Sequence, residues 1–287
     1  MARKRATLTD LFNDLTFNNI YNKFKMIALN QIEWVGLPEC INPKHIERYL
    51  FNDGKAIFFI DPNMSYMCLK TSEGGNLNVY DEPLSWRAIG NGYNEEYPAD
   101  QCVIIDNNPL RLATHDFLMM YAYKIAEAER TMDVNVKANK TPFIIACDDK
   151  DVLTFKAIFS KIDGNVPAIY ADKGLSLDSI QVFKTGVTLL VNELTDYKNS
   201  VESELLTFLG VNNVNVDKKE RLITDEAESN NELIQAFAQL QLVSRQLACE
   251  QINKMYGLNV SVRFRCSQPG TKPDPNDKDE GGDKDDV

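Results

Sequence analysis

The chain has little with which to span a membrane, hold zinc or run a catalytic triad. Its 287 residues contain no apolar run of about 18, the length a transmembrane helix needs. Met1-Ala2-Arg3-Lys4-Arg5 is basic, but Asp10 and Asn13 fall where a signal peptide carries its apolar stretch, so nothing marks the chain for secretion. The six cysteines (Cys40, Cys68, Cys102, Cys147, Cys249 and Cys266) include no CxxC pair, and they read as reduced, mostly core thiols. Only two histidines, His45 and His115, could serve a Ser-His or Cys-His site, and both read as solvated first-turn helix residues. No GxxxxGK[ST] loop is present, so the chain should not itself drive NTP hydrolysis, and no GxGxxG follows a strand. A basic excess is missing too. Lys and Arg total 31 against 42 Asp and Glu, a net charge of −11, which argues against bulk coating of nucleic acid. No catalytic residue, cofactor, metal or membrane partner is expected.

What is present is a 44% hydrophobic composition, enough for a sizeable core. Helical spacing of Phe12, Leu15, Ile20, Phe24, Ile27 and Ile32 predicts a helix from about Thr9 to Ile32, stopped by Gly36. Pro43 opens a short helix to Phe51, and Ala56-Ile57-Phe58-Phe59-Ile60 reads as a buried strand. Residues 61–109 read as a small mixed β region with long loops. A long helix follows from about Thr114 to Asn135. Its first half, Phe117-Leu118-Met119-Met120-Tyr121-Ala122-Tyr123, is apolar around most of its circumference and must be covered on most sides. The pattern alone leaves open whether the cover is the same subunit or a neighbour.

Residues 141–184 read as a compact β-containing insert, with strands at Phe143–Ala146 and Ala168–Ala171 and a short helix from Lys150 to Lys161. The next helix, about Asn192 to Leu209, carries an apolar stripe of Leu194, Tyr197, Val201, Leu205 and Phe208. Its opposite face is polar: Asp196, Asn199, Ser203 and Thr207. Residues 213–230 lose periodicity and read as a charged loop. A third helix, about Glu232 to Tyr256, should turn Leu233, Phe237, Leu240, Leu247, Ile252 and Met255 inward. Leu258 to Phe264 alternates as a strand, and residues 267–287 form an acidic tail expected to be disordered.

Several short strings occur in a fixed order. They are Lys140-Thr141-Pro142, Gly164-Asn165-Val166-Pro167, Asp178-Ser179-Ile180-Gln181-Val182-Phe183-Lys184-Thr185 and Thr207-Phe208-Leu209-Gly210. Lys218-Lys219-Glu220-Arg221, Thr224-Asp225-Glu226 and Tyr256-Gly257-Leu258-Asn259-Val260 follow. The series resembles the upper collar connector, or portal protein, of small short-tailed, protein-primed double-stranded DNA phages. Arg3-Lys4-Arg5, Leu37-Pro38, Ile41-Asn42-Pro43, Asp61-Pro62 and Ser65-Tyr66 extend the likeness toward the N-terminus.

The resemblance implies an α+β, mainly α, portal fold and a ring-forming oligomer, a dodecamer, at one capsid vertex of the virion, assembled in the host cytoplasm. It implies an N-terminal arm and wing over 1–110, stem helices over 111–139 and 191–210, and a small α/β clip over 140–190. A channel loop over 211–230 and a wide-end helix and strand over 231–266 complete the expectation. Genomic DNA would pass through the ring during packaging and ejection. The implied partners are the major capsid protein and scaffold, a lower collar or tail protein, a packaging ATPase and a packaging RNA. Lys184 matches a bore lysine of the family, whereas Glu193 stands where the family has a second one. Lys218, Lys219 and Arg221 fall in the channel loop, and Arg3, Lys4 and Arg5 match the arm that holds RNA and motor. The reading kept beside this one is a metal-dependent nucleic-acid hydrolase with an unrecognised carboxylate site.

Overall fold

A computed structural model describes residues 8–61, 65–140, 143–146, 181–184, 188–212 and 224–265. The chain divides into two compact units. One combines Met1–Tyr123 with Val201–Val287, and the other is the inserted stretch Lys124–Ser200.

The first unit is built on a five-stranded antiparallel sheet. Its strands are β2 (Lys55–Asp61), β3 (Ser65–Glu73), β4 (Ser85–Gly90), β5 (Tyr93–Pro98) and β6 (Cys102–Asp106), in the order β5-β4-β3-β2-β6. The apolar run of β2 is explained by cover on both faces. Ala56 and Phe58 join one core with Val103 and Ile105, while Ile57 and Phe59 join another with Trp86, Ala88 and Cys102. Burying each of the Phe, Ile and Val side chains among them contributes about 1.5–3 kcal/mol. Residues 61–109 are therefore a more regular sheet than the composition predicts.

Helix α2 (Pro43–Asp53) lies against the first of these cores through Ile46 and Leu50. Asn42 caps it, its Oδ1 accepting from Lys44 N at 3.0 Å, and Pro43 occupies the first turn. Gly54 ends it at φ 76. A Cβ there would lie 2.1 Å from the Arg111 carbonyl oxygen, so the close crossing of two backbones requires glycine.

Helix α1 (Leu8–Leu29) is shorter than its periodicity predicts. Ile32 belongs instead to a strand, β1 (Ile32–Val35), paired antiparallel with β9 (Ser261–Phe264), Trp34 opposite Val262. The tertiary pairing, with Ile32 and Trp34 in the core, overrides the helical spacing. Helix α3 (Thr114–Lys140) runs further than the expected end at Asn135, and α4 (Val191–Leu209) matches its expected bounds, although Tyr197 of its apolar stripe is exposed. Thr207, expected on the polar face of α4, is buried.

Helix α5 (Thr224–Tyr256) begins eight residues earlier than expected, inside the stretch read as a charged loop, and residues 213–223 lie outside the described residues. Its inward face also differs. Ile234, Ala238, Leu242, Ser244, Arg245, Ala248, Cys249 and Ile252 are buried, while Leu233, Leu240, Leu247 and Met255 are exposed. Ile252 is inward as expected, but the rest of the buried row combines Ile234 and Leu242 with small residues and an arginine that the choice of bulky apolar positions passed over. His115, expected to be solvated, is packed: Tyr21 Oη lies 2.6 Å from its Nδ1, and the Tyr21 and Phe51 rings meet it edge-on. His45 is exposed, as expected.

The inserted unit contains the second half of α3, the first half of α4 and a two-stranded ladder, β7 (Phe143–Ala146) with β8 (Gln181–Lys184). The expected helix at 150–161, the strand at 168–171, the arm Arg3-Lys4-Arg5, the loop cations Lys218, Lys219 and Arg221, and the tail 267–287 lie outside the described residues.

Candidate functional site

Lys184 closes β8 at the end of the ladder where Phe143 stands opposite it, and Lys140 ends α3 three residues before that point. The antiparallel register thus puts Lys184 at the end of the ladder that joins the two helices of its unit. Glu193 lies in the first turn of α4 and is exposed. An acidic residue there complements the partial positive charge of the helix N-terminus. Local helix energetics therefore favour an acid at this position, whatever the surface faces. The two residues sit on different elements of one unit.

Two helices flank these positions and are braced against one another. Asn135 of α3 holds the entry to α4 at both ends of its amide: Nδ2 donates to Thr188 O at 2.8 Å, and Oδ1 accepts from Leu190 N at 2.9 Å. Further along, Lys198 Nζ meets Glu129 Oε1 at 3.1 Å. Thr195 Oγ1 donates back to Val191 O at 2.7 Å and lies 3.6 Å from Met132 Sδ. Arg130 is paired with Glu127 on the same helix. The cations Lys198 and Arg130 are thus engaged with carboxylates of their own unit. Asn192, Glu193, Asp196 and Ser200 on α4 are exposed. A polar, acidic helix surface with its nearby cations paired is poorly suited to gripping phosphate.

Sequence reasoning named Lys184 and Glu193 but not Asn135, Glu129 or Lys198, whose contacts brace the two helices. The signal was available in part, since Glu129 and Lys198 lie on opposite sides of the insert, but nothing in single-sequence spacing pairs residues across it. Among the described residues, no three of His, Cys, Asp or Glu come together as metal ligands would, and no helix is long and apolar enough to cross a membrane.

Comparison with known proteins decides the family. The family described as Phage Connector (GP10) matches residues 3–268. The chain belongs to the phage connector family. It is a head–tail connector, the portal protein of a phage virion, and its fold is α+β and mainly helical. Solved structures resemble this connector at low identity. A chain from the neck of a native gene transfer agent particle, computed with C12 symmetry, matches with a TM-score of 0.53 and 10% identity, over 91% of this connector and 84% of that chain. The portal and tail of native bacteriophage P68 gives 0.47 and 15%, over 94% of each chain. An HK97-family phage portal protein from Corynebacterium diphtheriae gives 0.46 and 12%, over 92% and 96%.

Proposed function

We propose that this connector assembles as a dodecamer through which double-stranded genomic DNA is driven during packaging and released at infection. The twelve-fold count is supported by the C12 symmetry stated for the gene transfer agent neck. The observation that carries the conduit reading is the exposed acidic surface of α4, whose neighbouring cation Lys198 is engaged with Glu129. A channel that must let a polyanion slide needs average repulsion with sparse, weak positive contacts. Lys184 supplies one such contact, and each subunit repeats it around the ring. Lys218, Lys219 and Arg221 of the 213–223 segment supply others. Glu193, in place of a second lysine, makes the bore more acidic at its level.

In this reading residues 1–110 form the arm and wing, 111–139 and 191–210 the stem, 140–190 the clip, and 231–266 the wide end. Arg3, Lys4 and Arg5 hold a packaging RNA or the motor through phosphate contacts, which need charge more than shape. The major capsid protein, scaffold and a lower collar or tail protein dock on the ring. The connector performs no catalysis of its own, and a separate packaging ATPase supplies the force. The test is native mass and negative-stain imaging of the purified chain, followed by packaging with Lys184→Glu particles. A twelve-subunit ring with a central hole and slowed packaging is expected. A monomer with metal-dependent nuclease activity would replace the reading.

A further inference from the structure

Helix α5 carries two stripes. Beside the buried row runs a second one, Leu233, Ala236, Leu240, Val243 and Leu247, at spacings of 3, 4, 3 and 4. That is the spacing of a coiled-coil seam, which exists to meet another helix. Here the seam faces outward: Leu233, Leu240, Val243 and Leu247 keep 45–53% of their surface exposed. Between Glu232 and Glu250 the only charged residue is Arg245, and it is buried against Glu47. The outer side of these four turns therefore shows only leucine, valine, alanine and glutamine, including Gln239 and Gln246. A helix side meant for water carries charge.

The same unit holds a second bare helix face. No charge lies between Asp116 and Lys124 on α3, and Met119, Met120 and Tyr123 are 44–59% exposed. Beside the α5 seam, Leu240 also lines a cavity of about 310 Å³ with Leu110, Phe117, Phe208 and Phe237. A closed ring needs this combination of surfaces. Its contacts are heterologous, so each subunit must present two different faces that fit each other.

We propose that in the connector ring the α5 seam of one subunit packs on the Met119–Met120–Tyr123 face of α3 in the next. The inference rests on the chain being a ring-former and adds which surfaces join. Neither face has a charge to desolvate at its centre. Unbranched methionines adapt to an irregular ridge and to the hollow beside Leu240. Each face offers on the order of 300 Å² of apolar surface, a fair core for an interface burying about 800 Å² per partner.

The test uses full-length chain in which Cys40, Cys147 and Cys266 are serine. Leu240→Cys and Tyr123→Cys are introduced together, and a short bis-maleimide is added to the assembled ring. A ladder of covalent oligomers is expected from the double variant and none from either single one. Separately, Leu240→Glu/Leu247→Glu should give a folded chain with native circular dichroism. It should stay monomeric at concentrations at least about tenfold above those at which the parent forms rings. Normal rings from the glutamate variant overturn the proposal, as do rings without a ladder or a dimer cross-linked through Leu240→Cys alone. Rings that assemble but fail to enter heads overturn it in favour of a capsid-protein partner. A parent chain that forms no ring removes the proposal and the ring reading together, which separates that failure from the others.

Discussion

Arg245 of α5 and Glu47 of α2, 198 residues apart, form a buried bidentate ion pair, with Nε to Oε1 at 2.9 Å and Nη2 to Oε2 at 2.8 Å. The remaining guanidinium hydrogens are taken by Asn107 O, Asn107 Oδ1 and Gln241 O. Trp34 Nε1 also donates to Glu47 Oε1, at 2.8 Å. All five donors of the arginine are thus satisfied, which is the condition under which a buried charge is tolerated. One side-chain cluster ties α2, α5, β1 and the link from β6 to α3.

Glu47→Ala should therefore leave Arg245 charged, buried and unpaired. The expected loss is about 3–5 kcal/mol of unfolding free energy in urea titration. Arg245→Met combined with Glu47→Leu should lose clearly less than the two single changes summed, because neither partner is left alone. Additive losses would show that the pair is not coupled.

Gly54→Ala places a methyl group 2.1 Å from a backbone oxygen at φ 76. Crowding and left-handed strain act together, and the expected loss is more than about 1 kcal/mol, read as a lower melting temperature. An unchanged melting temperature would mean that the α2 terminus and the Arg111 backbone do not cross so closely.

The thiols give a pH signature. Burial pushes Cys68 and Cys249 up to about 12 and Cys102 to about 11, with Asp100 adding to the last, whereas Cys40 is exposed. A free thiol in the unfolded chain ionises near about 8.5. Between these values the unfolded chain has released protons that the folded one keeps, so stability should fall as pH rises through that window. In a chain with Cys147 and Cys266 changed to serine, an aromatic disulfide reagent at pH 8 should modify exposed Cys40 quickly and half-buried Cys68 slowly, and reach Cys102 and Cys249 only when denaturant is added. Fast reaction of three or four thiols in the native protein would contradict the burial.

Charge at the proposed bore can be varied in both directions. Lys184→Glu should leave rings intact and slow packaging several-fold. Glu193→Lys should leave rings intact and raise the retention of DNA in a salt-dependent manner, measured by filter binding across a salt series. It also places a cation at the N-terminus of α4, so a loss of stability of about 0.3–1 kcal/mol is expected with it. Packaging at the parent rate in both variants would remove these residues from the DNA path.

The elements readable in the sequence were those whose period matched their burial. Pro43 opened α2, and Gly54 bounded the strand after it, whose residues Ala56–Phe59 are apolar because both its faces are covered there, while Ile60 is exposed. Ile32 was misplaced because helical spacing carried past Leu29, and only the pairing with Phe264 shows where the helix ends. The α5 face was misread because bulky leucines mark its outer side and Arg245 lies inside. Of the proposed bore, Lys184 and Glu193 could be named only through family resemblance. The Asn135 and Glu129 contacts that position the neighbouring helices join residues far apart in the chain.

The β1–β9 pair also sets a schedule. Strand β9 completes a pairing whose partner was synthesised some 230 residues earlier, and Arg263 reaches Glu33 across it. Helix α5, which supplies Arg245 to Glu47, also comes late in the chain. A ribosome that has made only the sheet and the insert therefore holds a subunit whose core is still open. Such distant contacts form slowly and last. The α5 helix that brings Arg245 to the core also carries the outward seam, so the seam is among the last parts of the subunit to be made. If that seam is the subunit contact proposed above, a half-made chain lacks one of the two faces that ring closure needs.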